Sequence, residues 1–447
     1  MMPKKPRNAK QNNFLYPDLL EQLNPKHPLL VLAQRLPWDE FESKFTPLYS
    51  SMGRPAKPIR LMVGLLLLKQ LEDLSDERVV EVWVQNPYYQ AFCGMKHFQW
   101  TFPCASSELV HFRKRIGEGG VKEIFKASVA LHGEKSNEKE VVIDTTVQEK
   151  NITFPTDTKL RMQAIRKCWK IAEQEGVILR RSYRRELKKS LQLIRFSKSR
   201  KNKKQVSSAI RRVRTIANAL LRDVERKLPE ARLSTWLADL ELCHQVINQQ
   251  RTDKNKIYSL HSPEVVCISK GKAHKKYEFG SKVAIAMTKS HNIIVGIKNF
   301  SDNLYDGDTL KDVLLSVAES TGSLPQRAFC DRGFRGRRKI EATSIELPGK
   351  AASTASVYSK RKARKNFGRR CAIEPVIGHL KSDFGLARNY LKGVVGDAIN
   401  LLLAAAAFNI RKWMRAVAEG LFFVLILLIE KISQNKHNPA MEKSMAF

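Results

Sequence analysis

Apolar positions recur at two different spacings along the chain, and the change between them marks its organisation. Over residues 57–135 the apolar positions follow the period of an α-helix, as in "KPIRLMVGLLLLKQLEDL". Ser75 is then a predicted N-cap for "DERVVEVWVQN", a helix that Asn86-Pro87 would end. We therefore predict a helical N-terminal domain over residues 1–135.

The last predicted helix of this domain has a basic face. Ser106 is the predicted N-cap of "SELVHFRKRIGEGG", and the glycines of that segment would terminate the helix. Its polar face carries His111, Arg113, Lys114 and Arg115. Short helices joined by tight turns are typical of a helix-turn-helix that reads the major groove. The alternative is a helical scaffold with a solvated basic face.

From residue 141 the pattern becomes that of strands. "VVIDTTV" is a β-branched run typical of a buried strand, and "EVVCIS", "SKVAIAMT" and "NIIVGIKNF" predict an antiparallel meander. A helix over "DGDTLKDVLLSVAES" follows, then a strand in "LPQRAFCDRGFRG" that stops at Asp331. The remaining pattern, from "NFGRRCAIEPVIGHLKSDFG" into "AINLLLAAAAFNIRKWMR", is helical. This order predicts an α/β three-layer core rather than a helical bundle or an all-β fold.

A basic helical insertion is predicted at 151–254, after the first strand. Its densest stretch holds fifteen Lys or Arg against one acid, Glu186. The cations are residues 180, 181, 184, 185, 188, 189, 195, 198, 200, 201, 203, 204, 211, 212 and 214. Because the acids that balance an ordinary exposed helix are missing, we interpret the run as a contact for phosphate backbone; a solvated face is the alternative. Arg184, Arg185 and Lys188 are candidate DNA contacts.

The overall charge supports a polyanionic partner. The 447 residues include 79 Lys and Arg against 44 Asp and Glu, a formal net charge of +35. Nucleic acid is the first partner to consider and an anionic membrane surface the second. Seven cysteines without a C-x-x-C pair favour a reducing, cytoplasmic setting over a disulfide framework or a zinc module.

Neither end of the sequence predicts a membrane segment. The basic start lacks the apolar region of a secretory signal. "LFFVLILLI" at 421–429 is only nine residues long, against about 20 needed to span a bilayer. We interpret 416–447 as an apolar helix, buried or at a dimer contact, with a loose tail.

Three acidic residues stand in unusual places. Asp144 interrupts an apolar strand, where a carboxylate is costly unless it is paired or binds a metal. Asp331 ends a strand before a glycine turn. Taken singly, each could merely cap a bend or a turn. Glu374 lies in a neighbourhood of cations. The residues that share its helical face strengthen the hypothesis that it is a functional residue.

The residues of that face are spaced as on one side of a helix. At about 100° per residue, one stripe of a helix carries Phe367, Arg370, Glu374 and Lys381. Pro375 conflicts with a straight helix because it lacks an N–H and disfavours the α region at Glu374. Either the helix kinks at this point, or a new helix begins with Pro375 at its first position.

The same four positions resemble a known signature. The frame F-x2-R-x3-E-x6-K is similar to the Y-x2-R-x3-E-x6-K signature of DDE transposases of bacterial insertion sequences, in the grouping of families four and five. "VVIDTTV" and "AFCDRGFRG" resemble the segments that carry the first two acids of that triad, and "HSPEVVCISKGKAHKKYEFGSKVAIA" resembles the stretch between them in family five. Phe367 departs from the signature, since phenylalanine cannot donate a hydroxyl hydrogen bond; packing or stacking remains open to it.

The resemblance implies an RNase H-like core, over 138–150 plus 255–415, and two Mg²⁺ ions held by Asp144, Asp331 and Glu374. Three carboxylates within about 4 Å would repel by roughly 4 kcal/mol per pair at an effective dielectric near 20, so such an arrangement requires cations. Hard oxygen ligands favour Mg²⁺ or Mn²⁺ over zinc. Arg370 and Lys381 would hold DNA near the metals.

The expected function is that of a transposase in the bacterial cytoplasm, associated with the nucleoid when it is bound to DNA. It would bind terminal inverted repeats, cut the DNA ends by metal-dependent attack on phosphodiesters and join them to target DNA, as a homo-oligomer. Three alternatives are a metal-dependent nuclease of the same core, a non-catalytic DNA-binding protein, and a protein that binds membranes through its charge and apolar tail.

Overall fold

The computed structural model describes residues 18–195, 203–250, 252–269, 275–349 and 356–436. The basic start, the predicted cations 198, 200 and 201, and the predicted tail beyond residue 436 lie outside these ranges.

Seven helices precede the first strand. Their bounds are α1 Leu19–Gln22, α2 Pro28–Arg35, α3 Trp38–Phe45, α4 Ile59–Leu71, α5 Asp76–Gln85, α6 Pro87–Phe92 and α7 Ser106–Ala130. The Ser75 cap is confirmed, because its hydroxyl accepts a hydrogen bond from the Arg78 amide, and α5 ends before Asn86 as predicted.

The prediction for α7 was wrong in two respects. Ala105 is the N-cap residue, and its amide donates to the Glu108 carboxylate, so Ser106 is already inside the helix. The glycines do not end the helix: Gly117 adopts φ 59° and makes a kink, after which the helix continues to Ala130. A glycine can therefore bend the path of a helix without stopping it when packing holds both halves.

A mixed sheet of seven strands follows in the order β2-β3-β1-β5-β7-β6, with β4 also paired to β3. The strands are β1 Glu140–Glu149, β2 Val266–Ser269, β3 Tyr277–Thr288, β4 Ile294–Phe300, β5 Arg327–Phe329, β6 Lys339–Ile340 and β7 Thr343–Glu346. The predicted antiparallel pairing of β2, β3 and β4 is confirmed, and β1 is antiparallel to β3 as well. On its other side β1 is parallel to β5, and β5 is parallel to β7.

The insertion after β1 is helical, as predicted. It contains α8 Asp157–Gln174, α9 Arg184–Arg195, α10 Lys203–Lys227 and α11 Glu230–Asn248. These helices share a hydrophobic core of their own, with fully buried side chains such as Ile165, Leu221 and Ile247. Their charged faces therefore point away from a packed interior.

The chain then adds α12 Leu310–Thr321 between β4 and β5, followed by α13 Val357–Gly368, α14 Ile373–Ser382 and α15 Gly393–Lys436. The boundary predicted at residue 416 was wrong, since α15 runs through it without interruption. Within the described residues, Gly393–Glu419 is long and apolar enough to cross a membrane, but 72% of its most apolar window is buried inside the protein. This burial is typical of a core helix.

One hydrophobic core joins the N-terminal helices to the sheet. Helices α4 and α7 pack against α15, and α12 packs against β4, so that side chains of all these elements form one cluster. The N-terminal helices therefore share one hydrophobic core with the sheet.

Candidate active site

Two of the three predicted acids lie on, or just beyond, neighbouring strands in the middle of the sheet. In the parallel pairing of β1 and β5, Val142 is opposite Phe329. Asp144 and Asp331 each follow these partners by two residues, and the backbone at Asp331 is still extended. Because side chains alternate along a strand and paired strands lie about 4.8 Å apart, both carboxylates project from the same face at neighbouring positions.

Local contacts fix both carboxylates. Asp144 Oδ1 accepts a hydrogen bond from the Thr145 amide at 2.7 Å, and Asp331 Oδ1 accepts one from the Gly333 amide at 2.8 Å. Burial raises the pKa of the Cys330 thiol, and the Asp331 and Asp144 carboxylates raise it further.

A fourth acid, Asp306, contacts Thr145, the neighbour of Asp144 in the chain, and was missed by the sequence reasoning. Its Oδ1 accepts from the Thr145 hydroxyl at 2.9 Å and is 2.5 Å from the Lys282 ammonium nitrogen. A Cβ built on Gly333 would be 2.9 Å from both Asp306 Oδ2 and Asp331 Oδ1. Lys282 was the available signal: a lysine in the apolar strand "SKVAIAMT" needs an acidic partner when it is buried.

Glu374 lies on α14, beside the first strand. Helix α14 packs against β1, with Ile373, Val376 and Leu380 buried. The side chain of Glu374 is exposed. Among the described residues no group of three or more His, Cys, Asp or Glu side chains is arranged to hold a metal ion. Glu374 therefore does not form a metal-binding group with Asp144 and Asp331 in this structure.

The turn before α14 resolves the alternatives at Pro375. A 3-10 turn over Arg369–Ala372 joins α13 to α14, and α14 begins at Ile373. Pro375 is the third residue of the new helix, where its missing N–H is one of the donors that lack an intrahelical partner in any case. The chain therefore starts a new helix, two residues earlier than the alternative based on Pro375 at the first position.

Two further signature residues contact the strands that bear the aspartates. A guanidinium nitrogen of Arg370 is 4.0 Å from Asp144 Oδ2, with both side chains about one-fifth exposed. The Phe367 ring meets the Phe329 ring edge-on, with centroids 5.7 Å apart. Phe367 therefore packs against β5, a role that needs no hydroxyl. Lys381 lies on α14 and is half-buried.

Arg113 was wrongly predicted to face DNA. Arg113 is 4% exposed, and its guanidinium binds Asp76 through two nitrogens, at 2.8 and 2.5 Å. Lys69 contacts the same carboxylate at 2.6 Å. Burial alone would raise the pKa of the Asp76 carboxyl, but the hydrogen bond and charge of Arg113, together with Lys69, hold that pKa below its ordinary value. Arg113 thus forms a buried ion pair with Asp76 and does not present its charge to solvent.

The other predicted DNA contacts are at the surface. His111 and Lys114 are exposed, while the Arg115 guanidinium lies over the Tyr49 ring, 4.3 Å from its centroid. On α9, Arg184, Arg185 and Lys188 are all exposed, and the Arg184 guanidinium lies 5.2 Å from the centroid of the Trp169 ring. Both groups present positive charge to solvent, on elements that are distant from the aspartates in sequence.

Comparison with known protein families matches two segments of the chain. Residues 17–115 match a family described as "Transposase domain (DUF772)", and residues 246–410 match one described as "Transposase DDE domain". The chain belongs to the DDE transposases of insertion sequences. In this transposase, Asp331 and Glu374 lie inside the second matched segment, whereas Asp144 lies between the two. The α8–α11 insertion falls almost entirely between them as well.

A curated relative of this transposase is "Uncharacterized protein ORF8 in nfe locus" from Rhizobium meliloti. It is 43% identical over 196 residues, which cover 42% of this chain and 94% of the relative. No solved structure matches the transposase significantly.

Proposed function

We propose that the protein cleaves the DNA ends of an insertion sequence and joins them to target DNA, through metal-dependent in-line attack on phosphodiesters. The observation that carries the proposal is the register of β1 and β5, which brings Asp144 and Asp331 to neighbouring positions on one face of the sheet. Two carboxylates so placed repel each other, and a bound cation relieves that repulsion.

The strand order supports an RNase H-like core. Strands β4, β3 and β1 are consecutive antiparallel neighbours, and β1, β5 and β7 are consecutive parallel neighbours. We propose that this sheet, with α12 and α15 packed on it, is the catalytic core, and that the α8–α11 unit is an insertion into it.

The donor set of the site fits a hard divalent cation. We propose that Asp144, Asp331 and Glu374 hold Mg²⁺, or Mn²⁺ in its place, because all three offer carboxylate oxygens. When bound, a pair of such ions lowers the pKa of an attacking water or hydroxyl and stabilises the leaving oxygen. Glu374 is exposed on α14, the helix that packs against β1, and we propose that its carboxylate completes this donor set.

Neighbouring side chains set the charge and geometry of the site. The Arg370 guanidinium, 4.0 Å from Asp144 Oδ2, partly neutralises the charge of that carboxylate. Arg370 lies in the 3-10 turn that leads into the helix of Glu374, so it can contact a scissile phosphate. Lys381 is seven residues beyond Glu374, about 10 Å along the helix axis, a distance suited to the next phosphates of a strand. Asp306, bound to Lys282, accepts a hydrogen bond from Thr145 and lies close to Gly333, whose amide binds Asp331.

DNA binding would extend beyond this site. We propose that Lys114 and Arg115 on the N-terminal helices, and Arg184, Arg185 and Lys188 on the insertion, contact the phosphate backbone. These side chains are exposed or partly exposed, and the net charge of +35 attracts DNA at long range. Synapsis of two ends would require a homo-oligomer.

A joining assay tests the function. Precut end DNA and a plasmid target are incubated with the full chain in Mg²⁺, and joined product is measured. The proposal expects joined product from the wild type and none from Asp144→Asn. Cleavage without joining would identify a nuclease of the same core, and unchanged DNA processing by Asp144→Asn would refute the role of the aspartates.

A further inference from the structure

A cleft that includes several basic side chains lies on the side of α14 away from Glu374. It is a cleft of about 620 Å³ between α14, α15, the turn that joins β3 to β4, and the chain just after α7. Its floor is apolar, with Val376, Phe384 and Phe408. Residues 408, 411, 412, 415 and 419 of α15 line it at spacings of three and four, so one stripe of that helix faces the cleft.

Helix α14 separates this cleft from the predicted catalytic face. At about 100° per residue from Ala372, Glu374 and Lys381 fall near 200° and 180°. Val376, His379 and Asp383, which line the cleft, fall near 40°, 340° and 20°. The two surfaces are therefore on opposite sides of one helix.

Both cations and acids line the cleft, and three of its basic side chains are paired. Arg411 binds Glu72, His379 binds Asp383 and His291 binds Glu138. Lys135, Lys412 and Arg415 also line the cleft, and in the part of the chain that the structure describes none of them lies within ion-pair distance of an acid, although the Glu419 carboxylate lines the cleft as well.

Burial and neighbouring cations both affect the ionisation of groups in the cleft. Burial lowers the pKa of Lys412, and the positive charge of Arg415 lowers it further, although Glu419 opposes both effects. Burial likewise lowers the pKa of His132, and Lys412 and Lys135 add to that shift. A bound polyanion would relieve the repulsion among these groups.

We propose that the cleft holds the phosphate backbone of the target duplex while the end DNA occupies the face with Arg370, Glu374 and Lys381. A DNA duplex is wider than a single α-helix, so one straight segment cannot contact opposite sides of α14 at once. DNA held in the cleft is then a different stretch from the end DNA. This inference rests on the proposed transposase function.

The chemistry of the cleft favours target over end DNA. Lysine and arginine contacts to phosphate fix position and orientation without reading sequence. End DNA has to be distinguished from other DNA by its bases, whereas a target duplex needs only to be held. Lys135, Lys412 and Arg415 provide this kind of contact, at a site that stays free when the end is bound elsewhere.

The test compares wild type with the double variant K412A/R415A, in the full chain loaded with precut end DNA. A matched variant, K26A/K311A, removes two exposed lysines that lie outside the cleft. Two quantities are measured in the same samples: binding of a labelled random-sequence duplex, and joined product as a function of target concentration. The single variant Arg415→Ala serves if the double variant melts at a lower temperature.

We expect K412A/R415A to raise the half-saturating target concentration about tenfold and to reduce the slope of log affinity against log salt by about two. End binding, and joining at saturating target, should match those of K26A/K311A. The inference is overturned if target dependence does not change, or if end binding weakens in parallel, which would assign the cleft to end DNA. If the wild type forms no joined product, the proposed function fails, and duplex binding alone still decides the role of the cleft.

Discussion

The buried pair of Arg113 and Asp76 gives a prediction that separates two interpretations of a basic helix. If Arg113 contacts DNA, replacing it should weaken DNA binding and leave the fold intact. Since its guanidinium is bound to Asp76 inside the protein, we expect its replacement to destabilise the fold and to leave DNA binding by the folded protein unchanged. Arg113→Met should lower the free energy of unfolding, while Lys114→Ala, one residue along and exposed, should change it by less than about 0.5 kcal/mol.

The magnitude follows from burial. The side chains of Arg113 and Asp76 are 5% and 14% exposed, so breaking the pair leaves a charge in a poorly solvated place. Loss of one partner from such a pair typically costs about 3–5 kcal/mol. Arg113→Met should cost about 3 kcal/mol or less, the low end of that range, since Lys69 still contacts Asp76. Asp76→Asn should cost about 3 kcal/mol or more, because it leaves both Arg113 and Lys69 without a counter-charge.

Urea denaturation of the two single variants and the double variant completes a mutant cycle. We expect a coupling free energy of about 1–3 kcal/mol between residues 76 and 113. The pKa of Asp76 is below its ordinary value, so its contribution is present above the unfolded pKa, about 3.9, and is lost as pH falls through the folded pKa. The reasoning is refuted if coupling is below about 0.5 kcal/mol, or if Arg113→Met weakens DNA binding at unchanged stability.

Three further predictions concern the site. Gly333→Ala places a Cβ 2.9 Å from Asp331 Oδ1 and Asp306 Oδ2, so we expect joining to fall about 100-fold with little change in melting temperature; a wild-type rate would contradict it. Asp306→Asn removes the charge partner of Lys282 and should cost about 1–3 kcal/mol in urea denaturation, a result that Lys311→Ala should not reproduce. Phe367→Ala should cost about 2 kcal/mol through loss of its contact with Phe329, whereas Phe367→Tyr should stay within about 1 kcal/mol; equal effects would argue against a packing role.

The strands could be predicted because their cause is local. Alternating and β-branched runs identify β1, β3 and β4, since the residues that form each strand are contiguous. The parallel pairing of β1 with β5 joins residues more than 180 positions apart, and no local pattern encodes that register. Asp144 and Asp331 could be nominated from the sequence, but only the sheet places them together.

Side-chain partners were harder to predict than elements. Arg113 has the same local pattern as a solvated cation, and its burial depends on Asp76 in another helix. Asp306 follows a strand in an acid-rich turn, and its contact with Lys282 crosses from that turn to β3. The 3-10 turn before Pro375 and the unbroken length of α15 are likewise set by packing, which periodicity alone does not report.

The most direct test of the central claim is the joining of precut ends by Glu374→Gln. Its side chain is exposed, so the substitution should leave the melting temperature unchanged, and any loss of activity reports chemistry rather than folding. Losing one metal-binding carboxylate removes several kcal/mol of transition-state stabilisation, so joined product in Mg²⁺ should fall by about 10³-fold. Exposed Glu319, changed to Gln, is the matched control and should join at the wild-type rate. Joining by Glu374→Gln within a few-fold of that control would contradict the assignment of Asp144, Asp331 and Glu374 as the catalytic acids.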